Sequence, residues 1–87
     1  MSDVLIYSSN LCPFCYRAKA LLKGKGVSYR EVNVDLNPKA RAEMRNKAGG
    51  RNSVPQVFIG SEHVGGCDDL YALDSVGGLD AMLQGAA

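Results

Sequence analysis

Two cysteines two residues apart, Cys12-Pro13-Phe14-Cys15, stand directly between a strand-forming run and a helix-forming run, and no other feature constrains the fold as much. Val4-Leu5-Ile6-Tyr7 is short, apolar and rich in strand formers, the pattern of a buried strand. Ser8-Ser9-Asn10-Leu11 is a polar loop carrying helix-capping residues. Tyr16 to Lys23 has strong helix formers, and Cys15, Ala18 and Leu22 fall on one helical face. Pro13 suits the first helical turn, where its missing N–H is no loss, and Gly24 and Gly26 stop the helix.

The remaining sequence continues the alternation. Val27 to Val34 is a second strand. Asn37-Pro38 opens a helix that runs to about Lys47 and ends at Gly49-Gly50. Val54 to Ile59 is a third strand that begins with Pro55, and Gly60-Ser61 turns it into the hairpin partner Glu62-His63-Val64. Gly65-Gly66-Cys67-Asp68-Asp69 leads into a third helix, with Asp68 as its cap and Asp69 in its first turn. After Gly77-Gly78, Leu79 to Leu83 makes a last short helix. The expected class is α/β in the order β-α-β-α-β-β-α: a mixed four-stranded sheet flanked by helices on both faces, with a right-handed first crossover. The 87 residues fit one domain, 1–87.

Composition narrows the function. Ten basic and nine acidic residues give a net charge of +1, which argues against electrostatic binding to nucleic acid or an anionic membrane. No apolar run approaches the roughly 20 residues of a membrane span. Met1-Ser2-Asp3-Val4 carries no basic segment ahead of an apolar stretch, so no export signal is read and the cytoplasm is the expected compartment. Three cysteines, two paired by spacing and Cys67 distant, suit redox catalysis or metal binding better than structural bridges.

Cys12 ends a loop at a helix start, where unpaired N–H groups and the helix dipole favour thiolate over thiol. Such cysteines fall from a pKa of about 8.5 to between about 3.5 and 7.5, and the thiolate is the nucleophile. Cys15, one turn on and more buried, is placed to attack a mixed disulfide formed on Cys12. Half of a zinc site is the competing reading. Zinc needs four ligands, and only Cys67 and His63 remain to complete the set. Val54-Pro55 alone reads as an ordinary trans proline in a turn; a cis bond would turn the Val54 backbone toward the cysteines and offer it to an extended peptide. Gly65-Gly66-Cys67-Asp68-Asp69 alone reads as a capped turn. Its glycines and helix start would also admit a carboxylate, with Asp68 beside it for an amine, as at the γ-glutamyl end of glutathione.

Taken in order, Cys12-Pro13-Phe14-Cys15, Val54-Pro55 and Gly65-Gly66-Cys67-Asp68-Asp69 resemble the three signature segments of glutaredoxins. Arg17 to Leu22, Lys25 to Ser28 and Asp68 to Asp74 resemble the bacterial dithiol glutaredoxins of the third type almost residue by residue. The resemblance implies a thioredoxin fold, a cis bond before Pro55 and glutathione as reducing co-substrate, with no metal. Cys12 would be the nucleophile and Cys15 the resolving thiol. Val54 and Pro55 would hold the cysteinyl part of glutathione; Gly66, Cys67 and Asp68 its γ-glutamyl end; and Arg41 its glycine carboxylate, with Arg51 a weaker candidate. The implied partners are glutathione and disulfide-bearing or glutathionylated proteins, ribonucleotide reductase among them, for a monomeric enzyme. The alternative is a dimer holding a [2Fe–2S] cluster on Cys12 and glutathione, although cluster-binding members usually lack the second cysteine or Pro13. A thioredoxin would usually carry tryptophan where Leu11 stands, and a metal chaperone is weaker still.

Three positions depart from the pattern. Ser9 stands where many members have a lysine, which implies weaker glutathione binding or a less depressed Cys12 pKa. Phe14 replaces a common tyrosine. The loop before Val54 reads one residue longer. Cys67 is expected to be a small apolar contributor rather than a redox-active thiol, and His63 a surface residue.

Overall fold

The computed structural model describes residues 3–84; Met1 and Ser2 of the amino-terminal segment lie outside the described residues. Eight elements follow in order: β1 Val4–Ser8, α1 Pro13–Gly24, β2 Arg30–Asn33, α2 Pro38–Lys47, β3 Gln56–Ile59, β4 Glu62–Gly65, α3 Cys67–Ser75 and α4 Gly78–Leu83. The sheet order is β2-β1-β3-β4, with β1 parallel to β2 and antiparallel to β3, and β3 antiparallel to β4. This is the arrangement expected from the sequence, with α4 as the last short helix.

Strand alternation divides the apolar side chains between two layers. Val4 and Ile6 of β1 and Val57 and Ile59 of β3 pack with Ala18 and Leu22 of α1, Leu70 of α3, and Leu79 and Leu83 of α4. Leu5, Tyr7 and Phe58 face the other way, onto Val34 just after β2 and Met44 and Ala48 at α2. Tyr7 is fully buried and its hydroxyl donates to Glu43 at 2.9 Å; burial first, and then Glu43, push its pKa up to about 12.

Two expectations need correction. β2 begins only at Arg30, because the ladder with β1 starts at the pair Leu5–Arg30 and leaves Val27 to Tyr29 without strand partners. The cap of α3 is Gly66, not Asp68: Cys67 opens the helix, and Asp69 reaches back so that its Oδ2 accepts from the Gly66 N–H at 2.9 Å. Gly65, at φ 120°, leads into this cap, and a Cβ there would overlap the Asp69 carboxylate. Leu36 holds a left-handed backbone, φ 54°, in the turn before α2, with its side chain fully exposed.

Candidate active site

The loop that delivers Cys12 is pinned on several sides. The Asn10 N–H donates to Asp35 Oδ2 at 2.8 Å, Asn33 Nδ2 donates to Asn10 Oδ1 at 2.7 Å, and the Tyr16 hydroxyl donates to the Asn10 carbonyl at 2.8 Å. Ser8, fully buried at the end of β1, donates its hydroxyl to Glu31, which also pairs with Lys19 of α1 at 2.9 Å. The Ser8 hydrogen bond, followed by Lys19, holds the Glu31 carboxyl below its ordinary value. Strand ends and helix are thereby tied together beneath the cysteine pair.

Cys12 takes the N-cap position of α1 with Pro13 next to it, so a sulfur occupies the place a serine or aspartate oxygen usually takes. Its Sγ accepts the Cys15 N–H at 3.1 Å. The two cysteines are joined in a disulfide with Cα atoms 5.2 Å apart. Cys15 has no exposed surface, whereas Cys12 keeps 7%. Any attack from outside therefore has to meet Cys12. No acidic residue occupies the first turn of α1, so nothing there opposes a negative sulfur.

The peptide bond between Val54 and Pro55 is cis, and the Val54 carbonyl lies 3.8 Å from Cys12 Sγ. From this point a groove runs to the start of α3. It is lined by Phe14, Arg51, Ser53, Val54, Pro55, Gly66, Cys67, Asp68 and Asp69. The structure thus brings Val54, Pro55, Gly66, Cys67 and Asp68 into one groove beside Cys12. Arg41 stands apart from that lining: its Nη1 donates to the Asn52 carbonyl at 2.6 Å, on the loop that leads to Ser53. Arg51, which the sequence made secondary, pairs with Asp69 at 3.0 Å, and both line the groove. The Gly66 N–H, followed by Arg51, holds the Asp69 carboxyl below its ordinary value. Sequence reasoning gave Asp69 no role here; the three-residue step from Gly66 to Asp69 is the signal that could have found it.

Cys67 opens α3 but points into the core with Leu70 and Val57, and burial pushes its thiol up. His63 is not the surface residue expected. Half-buried, it stacks on Phe58 with centroids 4.8 Å apart, and its Nε2 lies 2.7 Å from Gln56 Oε1. Among the described residues no group of three His, Cys, Asp or Glu side chains stands close enough to hold a metal ion, so they do not build a four-ligand zinc site.

Chemically, the arrangement offers one reachable sulfur that accepts a helix N–H, a second sulfur one turn behind it, and a groove lined with backbone for an extended ligand. Comparison with known proteins points the same way. The Glutaredoxin family profile matches residues 4–64. Glutaredoxin 3 of Escherichia coli (strain K12) is 56% identical over 84 residues, which span 97% of this chain and the whole of that protein. The solution structure of a glutaredoxin from Brucella melitensis superposes with a TM-score of 0.86 at 53% identity, covering 100% of this chain and 94% of that one. A buckwheat glutaredoxin–glutathione complex superposes with a TM-score of 0.86 at 30% identity, covering 95% of this chain and 77% of that one.

Proposed function

Since the chain belongs to the glutaredoxin family, with the thioredoxin fold and a Cys-Pro-Phe-Cys redox centre, and is thereby a thiol–disulfide oxidoreductase, we propose that it draws its electrons from glutathione through Cys12 and Cys15. The observation that carries this reading is the Cys12 sulfur at the open start of α1, beside the Val54 backbone at one end of a groove.

In the one-thiol route the Cys12 thiolate attacks the glutathione sulfur of a mixed disulfide. The substrate thiolate leaves and takes a proton from solvent, and the Cys12–glutathione disulfide remains. A second glutathione thiolate attacks the glutathione sulfur of that bond, releasing oxidised glutathione and restoring the Cys12 thiolate. In the two-thiol route Cys12 first forms a mixed disulfide with a protein. Cys15, deprotonated, then attacks the Cys12 sulfur, so that the reduced protein leaves and the Cys12–Cys15 disulfide forms. Two glutathiones reduce that bond in turn.

Glutathione would lie along the groove. The Val54 backbone, next to Pro55, would pair with its cysteinyl unit. Gly66, Cys67 and Asp68 at the start of α3 would take the γ-glutamyl end, the backbone facing its carboxylate and the Asp68 carboxylate facing its amine. Arg41, held at Asn52, would meet the glycine carboxylate from beyond the rim. The proposed substrates are glutathionylated and disulfide-bearing proteins, ribonucleotide reductase among them, met by a monomer of one domain in the cytoplasm, a compartment that suits a reduced thiol pair. No helix among the described residues is long and apolar enough to cross a membrane. A [2Fe–2S] cluster on Cys12 would need its other ligands from glutathione and a second copy.

The test is turnover of a glutathione mixed disulfide, coupled to glutathione reductase and NADPH. The wild type should turn over, Cys12→Ser should be inactive, and Cys15→Ser should keep activity. An inactive wild type, or an active Cys12→Ser, overturns the reading.

A further inference from the structure

Gln56 and His63 take no part in the chemistry above, yet both are tied to the edge of the groove. Gln56, on β3, is fully buried, and its polar ends are spoken for. Nε2 donates to the Ser53 carbonyl at 3.0 Å and lies 3.3 Å from the Ser53 hydroxyl; Oε1 lies 2.7 Å from His63 Nε2. A carbonyl can only accept, so the amide must turn its NH2 to Ser53 and its oxygen to His63. His63 must then donate from Nε2. The imidazole is supported flat on Phe58, which is itself buried edge-on against Tyr7 with centroids 5.8 Å apart. Burial and the nearby Arg51 hold His63 below its ordinary value, consistent with a neutral ring carrying this one proton.

What the chain of hydrogen bonds grips is a peptide plane. The Ser53 carbonyl and the Val54 N–H belong to one trans unit and point in opposite directions. Anchoring the carbonyl on Gln56 aims the N–H the other way, on a loop whose Ser53 and Val54 line the groove. We propose that His63, acting through Gln56, is a positioning residue that fixes the Ser53–Val54 peptide, so that the Val54 N–H is held ready for the backbone carbonyl of an extended cysteine-bearing ligand such as glutathione. The ligand half of this inference rests on the glutathione reading above; the positioning half rests on the geometry alone.

His63→Phe keeps the ring stack and removes the donor. Gln56→Met keeps the length and removes both polar ends. Two measurements apply to each variant and to the double variant: steady-state turnover of a glutathionylated peptide, and 15N relaxation of the Val54 amide in the free reduced protein. Losing a hydrogen bond of about 0.5–1.5 kcal/mol should raise KM about 2- to 10-fold with kcat unchanged. The double variant should be no worse than Gln56→Met alone, because the two residues act in series. The Val54 amide should become more mobile in all three. An unchanged KM, fully additive effects, or a Val54 amide as rigid as in the wild type overturns the proposal. Where the wild type itself fails to turn over the glutathionylated peptide, the glutathione reading falls, and the relaxation measurement, made without ligand, still decides the relay.

Discussion

Two helices open toward the same groove, one capped by a cysteine and one beginning with a cysteine; the two sulfurs are nonetheless set up for opposite fates. At α1 the cysteine is the cap itself: Cys12 Sγ takes the Cys15 N–H, no acidic side chain shares the first turn, and the residue keeps a little exposed surface. At α3 the cap is Gly66 and the acceptor is the Asp69 carboxylate. Cys67 sits one residue inside, turned into the core, and burial pushes its thiol up. A helix start therefore does not by itself make a reactive thiol. The sulfur must take the capping place, and one residue of displacement forfeits it.

The largest expected effect breaks or upholds that contrast directly. In the reduced protein at pH 7, iodoacetamide should alkylate Cys12 at least about 100-fold faster than Cys67, since thiolate population and access both favour Cys12. Peptide mapping of a time course reads both rates, and comparable labelling of Cys67 would abolish the distinction. Next in size, Asp69→Ala should cost about 1 kcal/mol in denaturant unfolding at pH 7 through loss of the α3 cap. The Arg51 pair adds little, because both of its side chains are 47% exposed. The Asp69 carboxyl titrates lower in the folded chain than its ordinary 3.8. Its contribution is therefore complete above that value and is lost as pH falls through the depressed one. The gap between variant and wild type should narrow in acid, and a gap undiminished at low pH would deny the carboxylate's charge any part in the cap. The smallest effect sharpens the α1 side. The loop before Cys12 has no cation, and its Asn10 N–H is already held by the Asp35 carboxylate. Ser9→Lys should lower the Cys12 pKa, read by thiolate absorbance; an unmoved titration would show that the added cation does not reach the sulfur.

Much of this was legible in the sequence because local chemistry and fold agree. Asn37 caps α2 through the Ala40 N–H as its position before Pro38 suggested, and the Cys12 helix begins where Pro13 allows it. What escaped the sequence depended on partners distant along the chain. The three-residue step from Gly66 to Asp69 marks the α3 cap locally, but the hold of Arg51 on the same carboxylate comes from 18 residues earlier and has no local sign. His63 looked like a solvated hairpin residue because its partner Gln56 and its support Phe58 are brought to it by β3–β4 register. Val27 to Tyr29 carried strand-like alternation without a neighbouring strand to bond.

The division of β1 between two layers has a consequence for how this chain can vary over evolutionary time. Val4 and Ile6 serve one core while Leu5 and Tyr7 serve the other. Any of the four can drift to a residue of similar shape at modest cost. Dropping or gaining a single codon within the segment would instead exchange the two sets at once, carrying the Tyr7 hydroxyl away from Glu43 and into an all-apolar layer. Lineages descended from this sequence should therefore record length changes in the loops and at the termini, and almost none within Val4–Ser8.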